Sequence, residues 1–293
     1  MRRLALLALI WGWSFLFIKV AVAGMTPTAV AGARIALGAL VMGVILRARG
    51  DRLPQDAVKW RHFAVMGVVH SALPFTLLAW GEERITSALT AVLNASTALF
   101  AALITAVLLG ERLRRPQLTG LGLGFVGVAV AAGIGAADLA GSSLSGAAAA
   151  IAASACYGLG FAYARRNLAD VAPLTAATGQ LVAATALIAP IGLVTTIQHG
   201  IDAAPHRLLA VALLGVVGTG FAYVLNYQSI AAVGPTRASV VTQLVPVVAV
   251  TVGVVFLQEP FHLRLVAGGV LTLFGIALLH DRIRRFRAVP VAS

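Results

Sequence analysis

Charge is scarce in this chain, and acid is scarcer than base. Only 11% of the 293 residues are charged and ten are acidic, against 60% hydrophobic residues, too little polar side chain to clothe a soluble globule. With a mean hydropathy of +0.95, the sequence reads as an all-α integral membrane protein. The lone cysteine, Cys156, excludes an internal disulfide and a cysteine metal cluster. No catalytic constellation is present either. A Gly-rich phosphate loop with its lysine, paired carboxylates within a span, His/Cys groups at metal spacing and a serine beside a histidine are all missing. GLGLGFVG, from Gly120 onward, follows no strand and lies in an apolar run, so it reads as helix packing and not as a dinucleotide loop. The expectation is no enzyme, no cofactor and no metal.

Long apolar runs fill the chain. Crossing about 30 Å of hydrocarbon takes about 20 apolar residues, and ten segments qualify: 4–23, 29–46, 62–80, 86–109, 117–135, 145–164, 173–197, 207–228, 236–257 and 263–280. No connection exceeds 15 residues, which leaves no room for a soluble domain. The net charge of +12 does not point to nucleic acid, because the basic residues alternate by connection. With the N-terminus in the cytoplasm, 17 fall inside and only Arg84, Arg207 and Arg264 outside. This bias predicts both termini cytoplasmic in the inner, or plasma, membrane. The first 23 residues imitate a secretory signal, but the apolar run is long and carries Lys19, so it reads as a retained helix.

The chain repeats itself. LLGERLRRPQLTGLGLGFVGVAVA at 108–131 returns 148 positions later as FLQEPFHLRLVAGGVLTLFGIALL, matching Glu111 to Glu259, Gly120 to Gly268 and Gly127 to Gly275. Offset by 146, Trp11, Gly12, Phe15, Lys19 and Pro27 are answered by Tyr157, Gly158, Phe161, Arg165 and Pro173. Each copy holds five helices, an odd number, so the second enters from the opposite side. The reading is two inverted five-helix repeats, at 1–135 and 145–281, followed by a basic cytoplasmic tail at 282–293.

Polar residues inside the spans are few. Helix 3 places His70 near mid-membrane, followed by Ser71 and Pro74, and the proline is expected to bend the helix. Asn94, Ser96 and Thr97 lie at mid-depth in helix 4, and Thr242, Gln243 and Pro246 in helix 9. Helix 8 has Gly218, Thr219 and Gly220, then Tyr223, Asn226 and Tyr227. Arg34 and Lys19 lie near helix ends, where long basic side chains snorkel to the interface. None of the ten acidic residues lies deep in a span by this reading, so a lipophilic cation would find no buried counter-ion, and proton coupling would pass through His70.

WGWSFLFIK at 11–19, MTPTAVAGARIALGAL at 25–40, LLGERL at 108–113 and PVVAVTVGVVFLQEP at 246–260 occur in order, spread over both halves. In this combination the chain resembles the EamA-type, ten-helix group of the drug/metabolite transporter superfamily. The resemblance implies two inverted repeats, alternating access to a central cavity, and export of amino acids or other small metabolites. Two positions depart from symmetry: Pro246 faces Ala98, and Arg34 faces Gln180. The cavity lining is expected to be His70, Asn94, Tyr157, Phe161, Tyr223 and Gln243, with Trp11 and Trp13 as lesser candidates. The partners are a small-molecule substrate and the lipid bilayer, and a monomer is compatible with the sequence. A lipophilic-cation drug efflux pump, a lipid flippase or membrane enzyme, and a channel are the rival readings.

Overall fold

The computed structural model describes residues 2–110, 113–133, 142–233 and 240–280. Glu111, Arg112, Arg237 and the 282–293 tail lie outside them. Among the described residues, every regular element is helical. Ten helices follow the chain: α1 Arg2–Val22, α2 Pro27–Ala48, α3 Ala57–Glu82, α4 Ser87–Leu109, α5 Arg115–Ala132, α6 Ser142–Asn167, α7 Pro173–His199, α8 Pro205–Val233, α9 Val240–Phe256 and α10 Leu263–His280. Each answers one of the ten apolar segments. Seven are long and apolar enough to cross a membrane, while α9 and α10 are shorter apolar helices.

The helix starts follow capping chemistry. Thr26 accepts from Ala29 N at 3.3 Å, Asp56 from Val58 N at 2.8 Å and Thr86 from Leu89 N at 3.2 Å, so α2, α3 and α4 each begin with a donor satisfied. Pro27, Pro173 and Pro205 stand first in α2, α7 and α8, where no backbone N–H is needed. Gly110, with φ of 68°, and Gly133, with φ of 71°, end α4 and α5 in left-handed geometry.

The heaviest packing joins α1–α5 to α6–α10 and does not run within either half. The main pairs are α5 with α10, α2 with α7, α1 with α9, α4 with α6, α3 with α6 and α2 with α8. At the α5–α10 crossing a Cβ built on Gly120 would fall 2.7 Å from the Gly275 carbonyl, and one on Gly127 would fall 2.7 Å from the Gly268 carbonyl. The matched glycines of the sequence repeat therefore face each other crosswise. Only glycine permits that backbone approach, and close approach is what holds helices together in lipid.

Around this interior the outward face is apolar. Leu40 and Val44 on α2, Val107 on α4, Ile197 on α7 and Val270 and Phe274 on α10 are all more than half exposed, a surface that suits hydrocarbon and not water.

Candidate functional site

Two helices lose their regular winding at matching places. In α3 the residues Val68–Ala72 form a widened π turn, and in α8 so do Leu213–Phe221. Pro74, expected to bend α3, stands directly after the first of these turns. Just before Pro74 the helix winds wide, with Leu73 N reaching back to the Val68 carbonyl. Such turns add a residue to the helix circumference and push side chains inward, and they recur at functional sites.

Each widened turn is met by a polar side chain from the other half. Arg34 on α2 donates from Nε to Thr219 Oγ1 at 2.9 Å, and Gln180 on α7 donates from Nε2 to Ser71 Oγ at 2.8 Å. Arg34 and Gln180 are counterparts in the repeat, and Ser71 and Thr219 stand 148 positions apart. Gln180 Nε2 also lies 3.3 Å from His70 Nδ1, while His70 Nε2 is buried with no hydrogen-bond partner among the described residues. Tyr157 and Phe161 of α6 close on the imidazole edge-on, at ring separations of 5.2 and 5.0 Å. Gly160 makes room for it, since a Cβ there would fall 2.6 Å from His70 Cδ2.

Arg34 was expected to snorkel, and it does the reverse. It is only 7% exposed, its guanidinium carbon lies 4.0 Å from the centre of the Phe75 ring, and Tyr157 and Tyr223 stand within electrostatic reach. A cation over a desolvated ring gains about 2 kcal/mol, and a hydrogen bond to a charged group about 1.5–3 kcal/mol, which together offset part of the cost of burial. Small residues allow it: Gly38 lies against Thr219 and Gly215 against Leu37 and the Arg34 carbonyl. The run Gly218, Thr219, Gly220 carried this signal in the sequence, but nothing there tied it to Arg34.

The remaining candidates divide. His70, Tyr157 and Phe161 are in direct contact, and Tyr223 packs with Tyr157 against the core cluster that holds Ile35, Phe75 and Leu181. Phe161 is 52% exposed and forms one margin. Asn94 lies at a break in α4, where Ala95 and Ser96 leave the helix and Ser154 Oγ approaches Asn94 Oδ1 at 3.4 Å. Broken helices at mid-membrane free backbone groups for a ligand. Trp11 packs with the α1, α8 and α9 core, and Gln243 is half-buried on α9, which packs on α1 and α4. Trp13 stacks on Phe256 at 4.9 Å and not on the His70 cluster.

The family model described as "EamA-like transporter family" matches residues 4–133 and again residues 144–280. The chain belongs to the EamA-like transporter family. It is a multi-pass membrane transporter of small molecules and not an enzyme. An "Uncharacterized transporter" of Archaeoglobus fulgidus is 27% identical over 279 residues, covering 94% of this chain and 96% of that one. A Streptantibioticus cattleyicolor protein named "Probable terminal-alkyne amino-acid exporter" is 27% identical over 281 residues, covering 95% and 92%. A solved structure with TM-score 0.67 and 20% identity covers 97% of both chains and shares the fold.

In this EamA-like transporter a second group of charges gathers where α1 and α3 end and α4 begins. Glu259, in the connection after α9, accepts from Ser87 N at 2.7 Å and Ala88 N at 3.0 Å, capping α4 from another part of the chain. Gly253 leaves the space, since a Cβ there would fall 2.6 Å from Glu259 Oε2. Lys19, half-buried, reaches the end of α3. Its ammonium donates to the carbonyls of Glu82 and Ile85, the latter at 3.0 Å, filling acceptors orphaned at the end of α3. The expectation that no carboxylate is buried in the bundle fails at Glu82, which is 0% exposed and has no hydrogen-bond partner for either oxygen among the described residues. The sequence placed it in a polar connection because the apolar run ends at Trp80. Helix α3 continues to Glu82, and α6 closes over it, with Gly81 against the Gly146 carbonyl.

Proposed function

We propose that this chain is an alternating-access exporter of small metabolites, with amino acids as the leading substrate class, in the inner membrane. The observation that carries the reading is the buried cluster of Arg34, Phe75, His70 and Gln180 at the two widened turns. A fixed guanidinium suits a carboxylate, in which two acceptor oxygens match its fork. His70, Gln180 and the tyrosines supply polar and aromatic contacts for the rest of a small zwitterion. The 27% identity to the protein named "Probable terminal-alkyne amino-acid exporter" supports the same class.

Alternating access rests on two inverted repeats, 1–135 and 145–281. Three features support them: the odd number of helices per copy, the pairing of α1 with α9 and α4 with α6, and the matched glycines of α5 and α10 that meet crosswise, Gly120 against Gly275 and Gly127 against Gly268. The positive-inside bias supports cytoplasmic termini. Of the candidate lining, His70, Tyr157, Phe161 and Tyr223 stand nearest to Arg34 or to one another, and Asn94, Gln243, Trp11 and Trp13 belong to neighbouring walls.

The test is uptake into proteoliposomes of a panel of neutral amino acids, carboxylates without an amine, and quaternary ammonium compounds. Saturable transport of the amino acids, weakened by His70→Ala while the amount of folded protein holds, is the expected result. Saturable transport of the quaternary ammonium compounds alone would overturn the reading in favour of a drug pump.

A further inference from the structure

We propose that Glu82 is a proton-binding site that couples transport to a proton, an inference that rests on the exporter reading only for the identity of the cargo. Its carboxylate is wholly buried and both oxygens lack a donor among the described residues. A carboxylate left in that condition is among the most expensive groups a protein can bury, and a bound proton removes the charge.

The groups facing it are few and mostly committed. From α1 comes Lys19, whose ammonium is bound to backbone carbonyls of Glu82 and Ile85. From α2 comes Arg34, held by Thr219 and the Phe75 ring. From the connection after α9 comes Glu259, its oxygens occupied by two amides. Helix α4 carries no charged residue, and α6 brings Cys156, Tyr157 and Tyr163 towards α3 before its terminal arginines, Tyr163 being bonded to His62 in the opening turns of α3. In the connection between α3 and α4, Glu83 pairs with Arg84, 2.7 Å apart, and Arg84 lies over the Trp80 ring. In this conformation no cation among the described residues is hydrogen-bonded to the Glu82 carboxylate.

Lys19 supplies the alternative. Its ammonium already touches the backbone of the same residue, so a shift of α1 against α3 transfers it from carbonyl to carboxylate. The proton then leaves a Glu82 oxygen for water at that end of the bundle, and Lys19 neutralises the anion left behind. Helices α1 and α3 belong to the bundle that must rearrange in alternating access, so the proton and the conformation are linked. Arg34, within electrostatic range of Glu82, connects this site to the substrate cluster.

Two measurements on the full chain test the proposal. The first is infrared difference spectroscopy of the protein in nanodiscs through a pH titration, without substrate. A protonated-carboxyl stretch that titrates in the wild type, is lost in Glu82→Gln and returns shifted in Glu82→Asp is expected. Identical spectra for wild type and Glu82→Gln would overturn the proposal. The second is proteoliposome transport of neutral amino acids under an imposed pH gradient. Accumulation above the equilibrium level is expected in the wild type and lost in Glu82→Gln, while exchange in the variant persists and no longer responds to pH. Gradient-driven accumulation that survives in Glu82→Gln would also overturn it. If the wild type moves no amino acid but the Glu82 stretch titrates, the cargo reading fails and the proton site stands.

Discussion

The guanidinium of Arg34 is the residue whose removal separates binding from folding most cleanly. Arg34→Lys keeps the charge but loses the planar fork and the match to Thr219, whereas Arg34→Met keeps the apolar stem over Phe75 and loses the charge. Loss of one charge-assisted hydrogen bond to a substrate carboxylate is worth about 1.5–3 kcal/mol, or roughly 10–100-fold in affinity. The expected outcome is a rise of that order in the amino-acid KM for both variants, larger for Met, with size-exclusion profiles like the wild type. Equal KM values would remove Arg34 from the site. In the sequence Arg34 and Lys19 stand near helix ends and read as interfacial, because a sequence shows depth only along a residue's own helix. Burial is decided by the neighbours: α8 brings Thr219 to Arg34, and α3 brings its last carbonyls to Lys19. Glu82 was missed for the same reason, since no pattern within 80–86 shows that α6 will cover it.

At the level of helices, the apolar runs made nearly everything legible. A span needs a fixed length of apolar chain, and the ten expected segments match ten helices within a few residues. The repeated glycines of α5 and α10 were also legible as a packing face, because spacing alone puts Gly120 and Gly127 on one side. What spacing does not reveal is the local winding. His70 and Thr219 lie in π turns, and α8 carries no proline beside its turn to mark it in the sequence. The crossing gives a paired test. Gly127→Val places a branched side chain where even a Cβ meets Gly268 O at 2.7 Å, and loss of the monodisperse folded peak in detergent is expected. Gly122→Ala, on the same helix with nothing within 4 Å, should melt no lower than wild type and is expected to gain up to about 1 kcal/mol from helix propensity. A similar penalty for both would mean that α5 and α10 do not cross through these glycines.

For the molecule as a whole, the inverted-repeat reading makes a claim about sides. In a background with Cys156 replaced, a cysteine at Arg114 should react with an impermeant maleimide only after the cytoplasmic face is opened. A cysteine at Gln258, an exposed position, should react in intact cells. Reaction of both from one side would sink the inverted arrangement. The glycines of α5 and α10 also bear on ancestry. A patch that meets its own counterpart is what an isologous interface between two identical chains requires, and under the inverted reading a five-helix chain can make that contact with a copy inserted the other way up. Fusion into one gene releases the copies from identity. A homodimer with arginine at position 34 would present two buried guanidiniums, one from each chain; this chain holds one, opposite a glutamine.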